Sequence, residues 1–122
     1  MKKAIVTGGA GFIGSHMVDL LLSKKYKVIA IDNLVGGHKK NIQKNIKNKN
    51  FSLKKIDIRK KIKDTRLFKD VDYVYHFAGI GDIVPSIEHP NNYMMTNVQG
   101  TVNVLEAARK AKAKKFVYAA SA

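Results

Sequence analysis

The chain of 122 residues is 45% hydrophobic and 26% charged, which is typical of one globular domain and leaves no room for a second. It contains no cysteine, which excludes disulfides, thiolate metal sites and a cysteine nucleophile, and we predict no metal site. No apolar run approaches the roughly 20 residues of a membrane helix, and the apolar stretch before Gly8 is too short for a signal peptide, so we predict a cytoplasmic protein without membrane contact.

The net charge of +14 is concentrated in one part of the chain. Residues 36–69 hold thirteen Lys or Arg against two acids, Asp57 and Asp64, whereas the remaining residues carry ten bases against seven acids. These bases are nearly all lysines, without regularly spaced aromatic residues for stacking on nucleobases. We interpret the segment as a solvated lysine-rich surface and do not predict nucleic-acid binding. A polyanion site, or attraction to the phosphates of a nucleotide ligand, are the alternatives.

Apolar strands and helical segments alternate in the first half of the chain. "KAIVT", residues 3–7, predicts a buried strand that ends at Gly8. Ile13, Met17, Leu20 and Leu21 recur at three- and four-residue spacing and predict one buried face of a helix over 12–25. A second strand is predicted at 27–32, a loop with a short helix at 33–50, and a weaker third strand at 51–57.

The second half continues the alternation. A short helix is predicted at 62–70, a fourth strand at 71–79, a polar loop up to Pro90, and a fifth strand at 116–118. Between Pro90 and about Lys112 we predict a helix with Val98, Val102 and Leu105 on one face. The order of elements predicts an α/β fold, a doubly wound parallel sheet of Rossmann type with strand order 3-2-1-4-5 and helices on both faces.

The glycine-rich turn "TGGAGFIG", residues 7–14, lies directly between the first strand and the first helix. Its glycines allow a tight turn, let the backbone of Gly11 approach a pyrophosphate, and let the helix pack closely on the strand at Gly14. The phosphates would lie at the helix N-terminus, where free N–H groups favour negative charge. Asp32, at the end of the second strand, would accept hydrogen bonds from ribose hydroxyls and repel a 2′-phosphate. This favours NAD over NADP, although Lys39 and Lys40 lie nearby.

Six stretches, taken together, resemble one family. "TGGAGFIG", "DN" at 32–33, "DI" at 57–58, "HFAG" at 76–79, "NVQGT" at 97–101 and "FVYAASA" at 116–122 resemble the extended short-chain dehydrogenase/reductases. Within that family the sequence is most similar to the NAD-dependent epimerase/dehydratases, in particular to nucleotide-sugar epimerases of the UDP-glucose 4-epimerase type. The resemblance covers the whole chain and implies an N-terminal NAD-binding portion, with the C-terminal substrate-binding part absent.

The resemblance implies a role for each matching residue. Residues of the glycine turn and of the strand ends would bind NAD: Gly8, Gly11, Phe12, Ile13, Gly14, Asp32, Asn33, Asp57, Ile58, Phe77, Ala78, Gly79 and Asn97. Three of them have plain structural alternatives. Asp57 could only cap the turn before Arg59, Asn97 could only satisfy buried backbone groups, and Phe77 could belong to the core. We interpret His76 as a core histidine.

Ser121 matches the family's active-site Ser or Thr, which hydrogen-bonds the reacting sugar hydroxyl. The catalytic Tyr-x-x-x-Lys base of the family does not occur in this sequence, so we predict that the chain binds NAD but does not turn over by itself. Ala122 stands where related dehydratases have an Asp-Glu pair, which favours an epimerase. Ala119, Ala120 and Gly81 differ from the residues that some epimerases have at these positions, so the identity of the sugar substrate stays open.

Two alternatives to the epimerase interpretation remain. The first is a fragment of a nucleotide-sugar dehydratase or decarboxylase. The second is a non-catalytic basic binding or assembly module. In either case the uncovered edge of the fifth strand predicts self-association, through the helix over 91–112 that the family uses to form dimers.

Overall fold

The structure, a computed structural model, describes residues 1–81 and 83–120. These residues form a parallel sheet of five strands in the order β3-β2-β1-β4-β5. The strands are β1 (Lys3–Thr7), β2 (Lys27–Asp32), β3 (Phe51–Lys55), β4 (Tyr73–His76) and β5 (Lys115–Tyr118). The predicted fold class and strand order are confirmed. The order changes direction between β1 and β4, where open α/β sheets form a crevice at the carboxyl ends of the strands.

Helical segments connect these strands. The longer ones are α1 (Phe12–Ser23), α2 (Ile83–Glu88), α3 (Pro90–Tyr93), a π-helical segment (Met94–Gln99) and α4 (Gly100–Lys110). Shorter 3₁₀ turns lie at Lys39–Asn41, Gln43–Asn45 and Thr65–Phe68, so the helix predicted over 62–70 is a single turn. None of the helices within 1–81 and 83–120 has the length and apolarity to cross a bilayer.

The sheet separates two apolar clusters because successive side chains of a strand point to opposite faces. Ala4 and Val6 of β1 pack with Val18 and Leu21 of α1 on one face. Ile5 packs on the other face, in the cluster that contains Val104 and Ala108 of α4. The helices therefore cover both faces, as the doubly wound fold requires.

The buried face of α1 differs from the predicted one. Its buried residues are Gly14, Ser15, Val18 and Leu21, whereas Ile13 is 65% exposed and Leu20 is 49% exposed. The reason is the close contact at Gly14, where an added Cβ would lie 2.0 Å from the carbonyl oxygen of Gly8. That contact turns positions 14, 18 and 21 toward the sheet, and the prediction was wrong for Ile13 and Leu20.

The region between β4 and β5 also differs from the prediction. Residues 83–88 are helical rather than part of a polar loop; Pro85 lies in the first turn of α2, where its missing N–H costs nothing. In α4 the buried residues are Gly100, Val104 and Ala108. Val102 and Leu105 of α4 and Val98 of the preceding π-helical segment are exposed.

Candidate cofactor-binding site

A cavity of about 270 Å³ lies at the carboxyl ends of β1, β2 and β4, at the change in strand order. Loop residues between β2 and the first 3₁₀ turn close one side of it. Eight of the residues predicted to bind a cofactor line this cavity: Gly8, Gly11, Asp32, Asn33, Ile58, Phe77, Ala78 and Gly79. The sheet thus brings together positions that are up to 71 residues apart in the sequence.

The glycine turn is built from backbone contacts. Gly8 has a left-handed φ of +69°, which favours glycine, and its N–H donates to the carbonyl oxygen of Ile31 at 2.7 Å. The N–H of Gly11 donates to the Gly8 carbonyl at 3.0 Å. Gly8 also lies against β4, because a Cβ there would be 2.9 Å from the nitrogen of Ala78. The turn is therefore held between β2, β4 and α1.

The N-terminus of α1 faces this turn without a side-chain cap. Gly11 is the N-cap residue and has no side chain to cap the helix, and the first turn of α1 contains no acidic residue. A helix N-terminus of this kind favours an anion. Phe12 and Ile13, which were predicted to bind the cofactor, are 76% and 65% exposed and follow Gly11 at the start of the helix, next to the cavity rather than in its lining. Gly14 packs against Gly8.

Asp32 connects the glycine turn to the loop that follows β2. Its side chain is buried, with Oδ2 accepting from the N–H of Ala10 at 3.0 Å and Oδ1 accepting from the N–H of Leu34 at 2.7 Å. Each carboxylate oxygen can accept a further hydrogen bond. Asp32 therefore orders the cavity wall and still presents acceptors to a ligand.

Asp57 is held by Arg59 and does not line the cavity. The Arg59 guanidinium donates to both carboxylate oxygens at 2.8–3.1 Å, and the Arg59 N–H donates to Oδ1 at 3.0 Å. These hydrogen bonds hold the pKa of the Asp57 carboxyl below its usual value. Arg59 itself lines the cavity beside Ile58. The turn-capping alternative for Asp57 thus describes its observed contacts.

Asn97 binds the backbone that follows β4 through two hydrogen bonds. Its Oδ1 accepts from the N–H of Ile80 and its Nδ2 donates to the carbonyl of Ile80, both at 2.9 Å. It lines a second cavity of about 370 Å³, which shares residues 77–80 with the first and extends to Tyr118 and Ala119 of the β5 end. Ser121, the predicted catalytic residue, lies outside the described residues.

His76 lies in the core, with 1% of its surface exposed. Burial lowers its pKa to about 4. Its two ring nitrogens contact Thr7 Oγ1 at 2.7 Å and Thr101 Oγ1 at 2.9 Å.

Sequence reasoning missed several residues of the first cavity. They are Val35, Gly36 and Gly37 of the loop after β2, Arg59, and Asn92 and Thr96 of the helical stretch before α4. The sequence feature that could have indicated this loop as part of the site is the Gly36-Gly37 pair, which closely follows Asp32. A Cβ on Gly37 would lie 2.9 Å from both Asp32 Oδ2 and the carbonyl carbon of Ala10, so this glycine lets the loop close over the acid.

Residues 4–122 match the model of the family described as "NAD dependent epimerase/dehydratase family". The chain belongs to this family. A protein of Methanocaldococcus jannaschii named "Putative UDP-glucose 4-epimerase" is 44% identical over 117 residues, which are 96% of this chain and 37% of that protein.

Solved structures of epimerases in this NAD-dependent family share the fold. UDP-N-acetylglucosamine 4-epimerase from Methanobrevibacter ruminantium, in complex with UDP-N-acetylmuramic acid, has a TM-score of 0.90 and 34% identity, covering 99% of this chain and 38% of that one. UDP-glucose 4-epimerase from Thermus thermophilus, in complex with NAD, has a TM-score of 0.84 and 35% identity, covering 98% and 37%. This chain therefore spans less than two fifths of the length of these relatives.

Proposed function

We propose that this chain is the NAD-binding part of a nucleotide-sugar epimerase. The observation that carries the proposal is the cavity at the change in strand order, where the glycine turn, Asp32 and the end of β4 meet. Its chemistry fits a dinucleotide, because an uncapped helix N-terminus suits the pyrophosphate and a carboxylate suits a ribose. Membership of an NAD-dependent family and the NAD in the Thermus relative support the same ligand.

The proposed roles follow from the positions of the residues. Gly8, Gly11 and the first backbone amides of α1, at Phe12, Ile13 and Gly14, would hold the pyrophosphate. Asp32 and Asn33 would bind the adenosine ribose, and Ile58 would lie beside the adenine. Phe77, Ala78 and Gly79 would form the opposite wall. Asp57 would act through Arg59, since its carboxylate is held there.

The second cavity is the proposed place of the nucleotide sugar. When bound, NAD would take a hydride from a sugar carbon and return it to the opposite face. Asn97 orders the shared wall through Ile80, and Ser121 would follow the β5 end to bind the reacting hydroxyl. The family also includes dehydratases; Ala122, in place of an acidic pair, favours the epimerase. We also propose a cytoplasmic location, which fractionation of cells producing the tagged protein would test.

The variant Gly11→Ala tests cofactor binding with one added contact in the turn. Gly11 has a φ of −78°, which alanine adopts readily, and the added Cβ would lie 3.2 Å from the Gly8 carbonyl oxygen, so we expect a folded variant with a slightly strained turn. The methyl group would stand between the backbone and the pyrophosphate. Because a hydrogen bond to a charged group contributes about 1.5–3 kcal/mol, we expect the Kd for NAD to rise about 10- to 100-fold in titration calorimetry.

Ser23→Ala, at the other end of α1, is the matched control and should leave the Kd unchanged, because its hydroxyl donates to the carbonyl of Leu20 in the last turn of the helix. Equal NAD affinity of Gly11→Ala and the unaltered chain would contradict the proposed pyrophosphate position. Salt-sensitive binding of an oligonucleotide together with no NAD binding would instead favour the basic binding module.

We propose that two copies of the chain associate through an apolar helical surface. This surface is formed by exposed residues between Ile83 and Leu105: Ile83, Val84, Ile87, Met94, Met95, Val98, Val102 and Leu105, each 44–77% exposed. Exposed apolar residues concentrated in one part of a chain are a common feature of protein interfaces. In α4, Val104 and Ala108 are buried in the core whereas Val102 and Leu105 are exposed, so a second copy could pack against this helix.

Val98→Lys should keep the chain monomeric, because association would bury its charge. Sedimentation velocity over a range of concentrations should show the unaltered chain shifting to twice the monomer mass and the variant remaining at one. Ile46→Lys is the control, since Ile46 is 54% exposed but lies outside the apolar helical surface. A monomeric unaltered chain at high concentration would refute this assembly.

A further inference from the structure

His76 joins three elements of the fold through one series of hydrogen bonds. Its Nδ1 contacts Thr7 Oγ1 of β1 at 2.7 Å, and its Nε2 contacts Thr101 Oγ1 of α4 at 2.9 Å. Thr7 Oγ1 also accepts from the N–H groups of Phe77 and Ala78, both at 3.1 Å. Thr101 Oγ1 donates to the carbonyl of Asn97 at 2.6 Å. This series of hydrogen bonds runs from the end of β4 to the helical stretch on the other side of the second cavity.

The donors and acceptors in this series of hydrogen bonds favour one arrangement of protons. A threonine hydroxyl has two acceptor lone pairs and one hydrogen. The single hydrogen of the Thr101 hydroxyl goes to the carbonyl of Asn97, so Thr101 Oγ1 accepts from Nε2 of His76. In the neutral ring Nδ1 is then unprotonated, and the Thr7 hydroxyl donates to it while accepting from Phe77 and Ala78.

We propose that His76, fixed as the neutral Nε2–H tautomer, is a positioning residue for the wall strip, residues 77–80, that separates the two cavities. The strip is held at one end by Thr7, which binds the amides of Phe77 and Ala78, and at the other by Asn97, which binds Ile80. His76 links these two anchors through Thr101. The inference deepens the proposed function, because Phe77, Ala78 and Gly79 line the proposed NAD site.

A protonated ring would break the arrangement. A hydrogen on Nδ1 would point at the hydrogen of the Thr7 hydroxyl, and Thr7 Oγ1 could then bind only one of the two wall amides, which leaves Phe77 with the Thr7 carbonyl at 3.2 Å. Thr7 is fully buried and His76 is 1% exposed, so the lost contact lies away from bulk solvent. Ring contacts with Phe116 and Tyr118 also hold the imidazole plane. The arrangement therefore favours a single state of His76 at neutral pH, the uncharged ring.

The test uses the cofactor-free chain first. Long-range ¹H–¹⁵N correlation spectra at neutral pH should show His76 with Nδ1 unprotonated and Nε2 protonated, with His76→Asn assigning the signal. Thr101→Val removes the acceptor for Nε2–H and should speed hydrogen exchange of the Phe77 and Ala78 amides about five- to tenfold, the effect of about one lost hydrogen bond. Thr101→Ser keeps the hydroxyl and should restore the exchange rates.

NAD affinity is the second measurement. Thr101→Val should raise the Kd for NAD about five- to tenfold, and Thr101→Ser should stay within about twofold of the unaltered chain. An Nδ1–H tautomer, unchanged exchange in Thr101→Val, or a serine variant that behaves like valine would each overturn the proposal. If neither the unaltered chain nor any variant binds NAD, the proposed function fails. The tautomer and the exchange rates would still decide the role of His76.

Discussion

Gly14→Ala should destabilise the fold by about 3 kcal/mol or more, a large part of the roughly 5–15 kcal/mol typical of a domain. The added Cβ would lie 2.0 Å from the carbonyl oxygen and 2.7 Å from the carbonyl carbon of Gly8, and both are backbone atoms. Gly8 cannot retreat as far as this contact requires, because it is packed against Ala78 and hydrogen-bonded to Ile31 and Gly11. Either α1 must leave the sheet or the glycine turn must open.

Urea unfolding followed by circular dichroism would measure this loss, with Gly36→Ala as the matched control. Gly36 also lies in a glycine pair beside the cavity, but an added Cβ there meets no atom within 4 Å. Its unfolding free energy should stay within about 0.5 kcal/mol of the unaltered chain or rise slightly, because alanine reduces the freedom of the unfolded state. A Gly14 variant as stable as the Gly36 variant would contradict the close packing of α1 on the turn.

Local patterns were sufficient to predict the fold. The alternation of apolar strands and helical segments fixes a parallel sheet, and right-handed crossovers leave few strand orders. The face of α1 was not predictable in the same way. Positions 13, 17 and 20 and positions 14, 18 and 21 both have helical spacing, and the choice between them depends on the tertiary contact between Gly14 and Gly8. Residues 83–88 were missed because their apolar side chains are exposed and pack on no core cluster.

The candidate site was predictable where it depends on backbone geometry. Glycines and an acid at strand ends converge because the carboxyl ends of parallel strands share one edge. The sequence could not show which side chains are already engaged. Asp57 is held by Arg59, and Asp32 accepts from Ala10 and Leu34, contacts that exist only after folding. Substitution of Asp32 would therefore disturb the turn as well as ligand binding, which makes Gly11 the sharper position for a binding test.

Acid should destabilise the chain well above the pH at which its carboxylates protonate, because of His76. Burial lowers the pKa of His76 from 6.5 to about 4. Between these values the unfolded chain binds a proton that the folded chain does not, so the free energy of unfolding falls as the pH decreases. The contribution of neutral His76 is fully present above about pH 6.5 and is lost progressively toward pH 4. At about 1.4 kcal/mol per pKa unit, the loss is about 2 kcal/mol at about pH 5 and about 3 kcal/mol at about pH 4.

Urea unfolding at several pH values between about 7 and 4.5 would measure this loss, with His76→Asn as the comparison. The variant should be less stable at neutral pH, since it breaks the contact with Thr7 or with Thr101, but its stability should change less with pH because the titrating group is gone. The carboxyls of Asp57 and Asp72 have lowered pKa values, so their contributions are lost only as the pH falls below the usual carboxyl range. Parallel pH profiles for the two proteins would show that His76 is protonated as readily in the folded chain as in the unfolded one, against the buried, neutral histidine of the structure.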